Sequence, residues 1–124
     1  MEFENKIVLI TGASKGIGAQ TAKLFAKEGA IVIINYYKSE ELAKDVLENV
    51  KKHSSGMIIK CDVTNEGEVK EMVDKIIENY SKIDVLVNNV GGYLDGDEWN
   101  GDSNLWKKSL DLNITSTLNV SKYV

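Results

Sequence analysis

The chain has 124 residues, enough to bury one core, and its 43% hydrophobic and 27% charged residues suit a soluble globular domain. A net charge of -4 argues against a nucleic-acid partner, which would want a basic face. No apolar run nears the roughly 18 residues of a membrane span, so no membrane partner is expected.

Glu2 and Glu4 stand where a secretory leader would be positive, and Gly12 interrupts the apolar stretch, so a cytoplasmic location is expected. One cysteine and one histidine give neither a disulfide nor a metal-ligand set. Cys61 ends an apolar run and reads as a buried inert thiol; His53 reads as a solvated surface side chain.

Ile7-Val-Leu-Ile10 is a β-branched apolar run of the kind buried on both faces of a parallel sheet. Residues 16–28 then turn to helical spacing, with Ile17, Thr21, Leu24 and Phe25 expected on one inward side and Gly29 as the stop. Residues 30–35 predict a second strand. Ser39 offers an N-cap to the next helix, Glu40 and Glu41 suit its positive end, and Leu42, Val46, Leu47 and Val50 form its stripe.

Residues 57–61 predict a third strand after a Ser-Ser-Gly turn. Asn65 and Glu68 have capping-box spacing, and Val69, Met72, Val73, Ile76, Ile77 and Tyr80 follow at helical periods. Residues 84–88 predict a fourth strand, and a polar loop runs to about Asp102. Asp95, Asp97, Asn100 and Asp102 make that loop oxygen-rich. A calcium loop would need a ligand at Trp99 and glycine at Asn100, so a solvated loop is expected. A last helix from about Ser103 to the chain end is expected to place Trp106, Leu110, Asn113, Thr117 and Leu118 inward.

Strand and helix thus alternate four times without a repeat or linker. That order predicts one α/β domain over residues 1–124: a Rossmann-type, doubly wound parallel sheet with right-handed crossovers, truncated after about four strands in the order 3-2-1-4.

Between the first strand and first helix lies Thr11-Gly-Ala-Ser-Lys-Gly-Ile-Gly18. Gly12 permits a tight turn, Gly16 lets a diphosphate approach the backbone, and Gly18 lets the helix pack on the sheet. Free N–H groups of the first helical turn would face the phosphates, aided by the helix dipole. A plain glycine-rich turn is the alternative; the strand before it, the helix after it and the second strand favour a dinucleotide.

The segment resembles the Thr-Gly-x-x-x-Gly-x-Gly fingerprint of the short-chain dehydrogenase/reductase family. Further likenesses follow in order. Cys61-Asp62-Val63 is similar to the family's Asp-Val step after the third strand. Asn88-Asn89-Val90-Gly91 resembles its Asn-Asn-Ala-Gly, with Val90 in place of Ala, and Asn113 is similar to the Asn of the next helix. Among members, the chain resembles 3-oxoacyl-(acyl-carrier-protein) reductases and glucose dehydrogenases.

The resemblance implies that Gly12, Ser14, Lys15, Gly16, Ile17 and Gly18 line phosphates and ribose, and that Asp62 and Val63 flank the adenine. It also implies that Asn89 and Gly91 lie near the ribose on the nicotinamide side, and that Asn113 supports a water in a proton relay. Two alternatives stay open: Asp62 as a turn-forming or capping aspartate, although Asn65 can cap, and Asn113 as a buried structural amide.

An acid near the end of the second strand usually takes the 2′-hydroxyl of NAD. Here Asn35-Tyr36-Tyr37-Lys38 precedes the first acid, Glu40. Asn35, Tyr36 and Lys38 are the candidates on this side of the cofactor, and Lys15 and Lys38 can meet a 2′-phosphate as point charges. NADP is therefore expected over NAD, as the resemblance also implies for members with a base before the middle glycine.

The resemblance further implies hydride transfer between NADP(H) and a small carbonyl or alcohol substrate. A Tyr would serve as general acid/base with a Lys four positions on, and a Ser would orient the substrate oxygen. Residues four after Tyr36, Tyr37, Tyr80 and Tyr93 are Glu40, Glu41, Asp84 and Asp97, and Tyr123 lies too near the end. The chain alone is expected to be inactive. It is either the cofactor-binding half of a short-chain oxidoreductase or a non-catalytic dinucleotide-binding module with an assembly or sensing role. An open sheet edge at Val85-Leu-Val87 leads to the expectation of a homo-oligomer.

Overall fold

A computed structural model describes residues 1–92 and 101–124; the oxygen-rich positions Asp95, Asp97 and Asn100, with Trp99, lie outside the described residues. The elements are β1 (Ile7–Ile10), α1 (Gly16–Lys27), β2 (Ile31–Tyr36), α2 (Glu40–Lys51), β3 (Gly56–Lys60), α3 (Glu66–Tyr80) and β4 (Val85–Val87). A final helix begins as α4 (Ser103–Leu110), passes through a π-turn (Asp111–Thr115) and ends as α5 (Ser116–Tyr123). The sheet is parallel throughout, in the expected order β3-β2-β1-β4. Among the described residues, no helix is long and apolar enough to cross a membrane.

β1 is buried along its whole length because helices cover both faces. Ala19, Ala22 and Ala26 of α1 pack with Ala43, Val46 and Val50 of α2 on Val8, Ile10, Val32 and Ile34. On the opposite face, Val69, Met72, Val73 and Ile76 of α3 and Val120 of α5 cover Leu9, Ile33 and Ile59. Each fully buried Leu, Ile or Val contributes about 1.5–3 kcal/mol, so the strand centres carry most of the stability.

Helix faces depart from expectation in all four helical segments. In α1 the inward face is Gly18, Ala19, Ala22 and Ala26, whereas Ile17 is 80% exposed and Leu24 62%. Small residues let α1 lie close over the sheet beside the glycine turn, and the larger side chains project away. Phe25 instead meets Phe3 edge to face, ring centres 5.0 Å apart. In α2, Leu42 is exposed and Ala43 takes the core position; Ser39 makes no side-chain cap. Ile77 of α3 is likewise exposed.

The last helix differs most. Trp106, Leu110 and Leu118 are exposed, Asn113 is exposed rather than core-facing, and Ser116 and Val120 point inward. A π-turn accommodates an extra residue and rotates the helix beyond it. One unbroken 3.6-residue period therefore cannot describe both halves.

Candidate functional site

Loops after β1, β2 and β4 meet at the carboxyl end of the sheet. They enclose a cleft of about 480 Å³ that brings together Gly12, Ser14, Lys15, Ile17, Tyr36, Lys38, Asn89 and Gly91, all expected from the sequence. Tyr37, Ser39 and Val90 also line it. Asn35, Gly18, Asp62 and Val63 do not, and Gly16 lies in the turn between two lining residues.

Gly12 and Gly16 both have φ +60°, a left-handed conformation that L side chains rarely adopt. A Cβ at Gly16 would meet nothing within 4 Å, so that backbone is approachable from the cleft. Gly18 is confined instead. A Cβ there would lie 2.5 Å from Asn89 Nδ2 and 2.6 Å from the Gly12 carbonyl oxygen. Its small size thus serves packing against the turn itself, while the neighbouring alanines bring the helix to the sheet.

The start of α1 is open. Lys15 occupies the N-cap position without a side-chain acceptor, and the first helical bond runs from Ala19 N–H to the Lys15 carbonyl (3.3 Å). The N–H groups of Gly16, Ile17 and Gly18 therefore have no acceptor among the described residues, leaving donors and the positive end of the dipole for an anion. The charged side chains lining the cleft are Lys15 and Lys38, both exposed, and Lys38 Nζ sits 5.4 Å from the Tyr37 ring centre.

A second cleft, of about 450 Å³, lies on the other side of Tyr36 and carries Glu40, Glu68 and Glu71 beside Lys60 and Lys75. Three carboxylates there disfavour phosphate, so the first cleft is the better anion site. Burial, followed by the Glu40 carboxylate, holds the Tyr36 phenol above its usual range and keeps it protonated at neutral pH.

Thr11, quoted in the motif but assigned no role from sequence, joins β1 to the segment after β4. Its buried Oγ1 accepts from Asn89 N–H (2.9 Å) and Val90 N–H (3.2 Å). Asn89 Nδ2 donates to the Gly12 carbonyl (3.0 Å), which fixes the turn's back wall. Asn113 is bonded to the same segment: its Oδ1 accepts from Gly92 N–H (2.8 Å), and its Nδ2 donates to the carbonyls of Gly92 and Ser109 (2.9 Å each). A Cβ at Gly91 would lie 2.8 Å from Asn113 Oδ1, so Gly91 leaves room for that amide.

Asp62 Oδ1 accepts from Thr64 N–H (3.0 Å) and Thr64 Oγ1 (2.7 Å), an Asx-type turn. Asn65 caps Glu68 N–H (3.1 Å), as its spacing predicts. Glu68 does not return to Asn65; its carboxylate accepts from Asp62 N–H (3.2 Å). Val63 is buried, and its carbonyl accepts from Asn119 Nδ2 (3.1 Å). Burial pushes the Cys61 thiol up to about 12, which suppresses the thiolate and its reactivity. Among the described residues no cluster of His, Cys, Asp or Glu could hold a metal.

The sequence profile described as short chain dehydrogenase matches residues 6–124. The chain belongs to that family. It is 36% identical over 129 aligned positions to the 3-oxoacyl-(acyl-carrier-protein) reductase FabG of Thermotoga maritima, covering 100% of this chain and 50% of the relative. A short chain dehydrogenase from Burkholderia cenocepacia, solved in complex with NADP, superposes with a TM-score of 0.91 at 31% identity, over 99% of this chain and 51% of that one. The NADH-dependent reductase A1-R′, complexed with NAD, gives 0.89 at 32% identity over 98% and 52%. This chain thus spans about half the length of the curated relatives it matches.

Proposed function

We propose that the cleft above the glycine turn binds a nicotinamide dinucleotide, NADP(H) in preference to NAD(H). In this reading the chain is the cofactor-binding half of a short-chain oxidoreductase acting on a small carbonyl or alcohol. One observation carries it: α1 begins with uncapped amides, of which those at the exposed Gly16 and Ile17 stand beside a cleft whose charged lining is two lysines. The glycine turn fits a diphosphate because position 16 presents bare backbone and the dipole end favours negative charge.

The amides of Gly16, Ile17 and Gly18 would hold the diphosphate, with Ser14 beside them. Lys15 and Lys38 would take a 2′-phosphate, next to Tyr36. Asp62 and Val63 are assigned to the adenine end. Asp62 keeps its second carboxylate oxygen without a partner among the described residues. Asn89 and Gly91 would border the nicotinamide-side ribose, and Asn113 would hold the backbone of that border in place. Bound nicotinamide supplies or accepts a hydride. The 124 residues contain no Tyr-x-x-x-Lys, so the reading for this chain is binding rather than turnover.

Calorimetric titration of the folded chain with NADPH and NADH tests this reading. Saturable binding of both, tighter for NADPH, is expected; no binding of either by a sample with native circular dichroism would overturn it.

A further inference from the structure

Asn35 stands at the carboxyl end of β2, where it was a candidate cofactor contact, yet it is 2% exposed and faces the interior on the α3 side with Ile31 and Ile33. A buried amide is costly unless its donors and acceptor are satisfied. Here they are: Oδ1 accepts from Gly12 N–H (3.1 Å), and Nδ2 faces the carbonyls of Tyr36 (3.3 Å), Ile59 (3.3 Å) and Cys61 (3.2 Å). The reverse amide orientation would set oxygen against three carbonyls, so the donor pattern fixes it. The main-chain carbonyl of Asn35 also accepts from Ala13 N–H (2.9 Å). One residue therefore bonds the Gly12 and Ala13 amides of the glycine turn and the end of β3. The Gly12 and Ala13 amides turn inward, and those of the exposed Gly16 and Ile17 are left on the cleft side.

We propose that Asn35 is a positioning residue: it sets the glycine turn against the ends of β2 and β3, and thereby the spacing between the phosphate and adenosine sides of the cleft. This inference rests on the dinucleotide reading for its functional consequence, but its geometry can be tested without any ligand.

The experiment compares Asn35→Leu with the parent chain and with Ile33→Val, a core control on the same strand and face. Amide hydrogen exchange and NADPH affinity are measured at a temperature where circular dichroism shows all three folded. Asn35→Leu should lose protection at the Gly12 amide selectively and bind NADPH at least about tenfold more weakly. Ile33→Val should leave Gly12 protection and affinity within about twofold of the parent despite lower thermal stability.

Should Asn35→Leu fail to fold, Asn35→Asp replaces it. Its carboxylate keeps the Gly12 acceptor but faces the three carbonyls with no donor. The ratio of variant to parent Kd for NADP should then fall as pH is lowered and the carboxyl gains a proton to donate. Unchanged Gly12 protection in Asn35→Leu, an equal affinity loss in Ile33→Val, or a pH-independent ratio for Asn35→Asp overturns the proposal. If the parent binds no dinucleotide while Gly12 protection still depends on Asn35, the cofactor reading fails and the positioning role stands.

Discussion

Two strand-to-helix turns in this fold have the same length and topology and opposite construction. Residues 11–15 join β1 to α1, and residues 61–65 join β3 to α3. The second turn closes on itself: Asp62 holds Thr64, Asn65 caps Glu68, and Glu68 returns to Asp62. The first has no such side chains and is held from outside by Asn35 and Asn89. A self-capped turn satisfies its helix end with its own residues. A turn pinned from behind, with glycines in front, leaves its amides for a ligand. On the proposed reading, the difference separates a stabilising connection from a binding one at equivalent places in the chain.

Crowding the open turn gives the largest expected effect. Gly18→Ala places a methyl against the Gly12 carbonyl and the Asn89 amide. It should cost about 1–3 kcal/mol of stability by overpacking and lower NADPH affinity about a hundredfold. Gly67→Ala in the first turn of α3 brings a methyl to 3.4 Å from the capping Oδ1 of Asn65, an ordinary contact. It should be neutral or stabilising by up to about 1 kcal/mol, with affinity unchanged. Thermal melts and calorimetry on both variants read the contrast, and similar losses would break it.

Charge in front of the open turn comes next. Lys15→Ala combined with Lys38→Ala should weaken NADPH about tenfold, the scale of a charge-assisted hydrogen bond, and NADH less than about twofold. Equal losses for the two coenzymes would refute the assignment of these lysines to a 2′-phosphate.

The sheet order was legible because each apolar run was short, β-branched and followed by a helical period. The glycine turn was legible because its spacing sits between a strand and a helix. Less visible was the inward face of α1, since periodicity weights Ile17, Leu24 and Phe25 above the alanines that take the core positions. Asn35 looked like a ligand residue from its place at a strand's end; strand alternation, which puts it with Ile31 and Ile33, was the available signal for burial. Trp106 and Leu110 lie in α4, which buries no residue; beyond the π-turn at Asp111–Thr115 it is Ser116 and Val120, not Leu118, that face the core, a change of face that a regular helical period does not anticipate.

Removing the cap of the closed turn has a smaller, purely structural consequence. Asn65→Ala should cost about 1 kcal/mol, read as a lower melting temperature, and leave NADPH affinity of the folded chain within about twofold. A tenfold loss of affinity would show that the two turns are not separable and that the region around Asp62 is coupled to the cleft.

Acid sensitivity at the opposite end of the sheet supplies the mildest perturbation. Asp84 Oδ2 accepts from Ile7 N–H (2.8 Å) at the entry of β1, and Lys82 Nζ lies 3.2 Å from Oδ1. The Ile7 amide, and then Lys82, hold the Asp84 carboxyl below its usual value. Because its folded pKa lies below the unfolded one, Asp84 stabilises the fold above the unfolded pKa, and that contribution is lost as pH falls through the folded one. Glu66, lowered by Lys122 and then Tyr123, acts in the same direction. Asp84→Asn keeps an oxygen for Ile7 but cannot titrate, so urea unfolding below about pH 4 should show a shallower pH dependence than the parent, with the Glu66 contribution remaining. Both turns of the comparison lie at the other end of the strands, so NADPH affinity at neutral pH should not change. An affinity loss in Asp84→Asn would mean that global stability, rather than the open amides of α1, sets the binding.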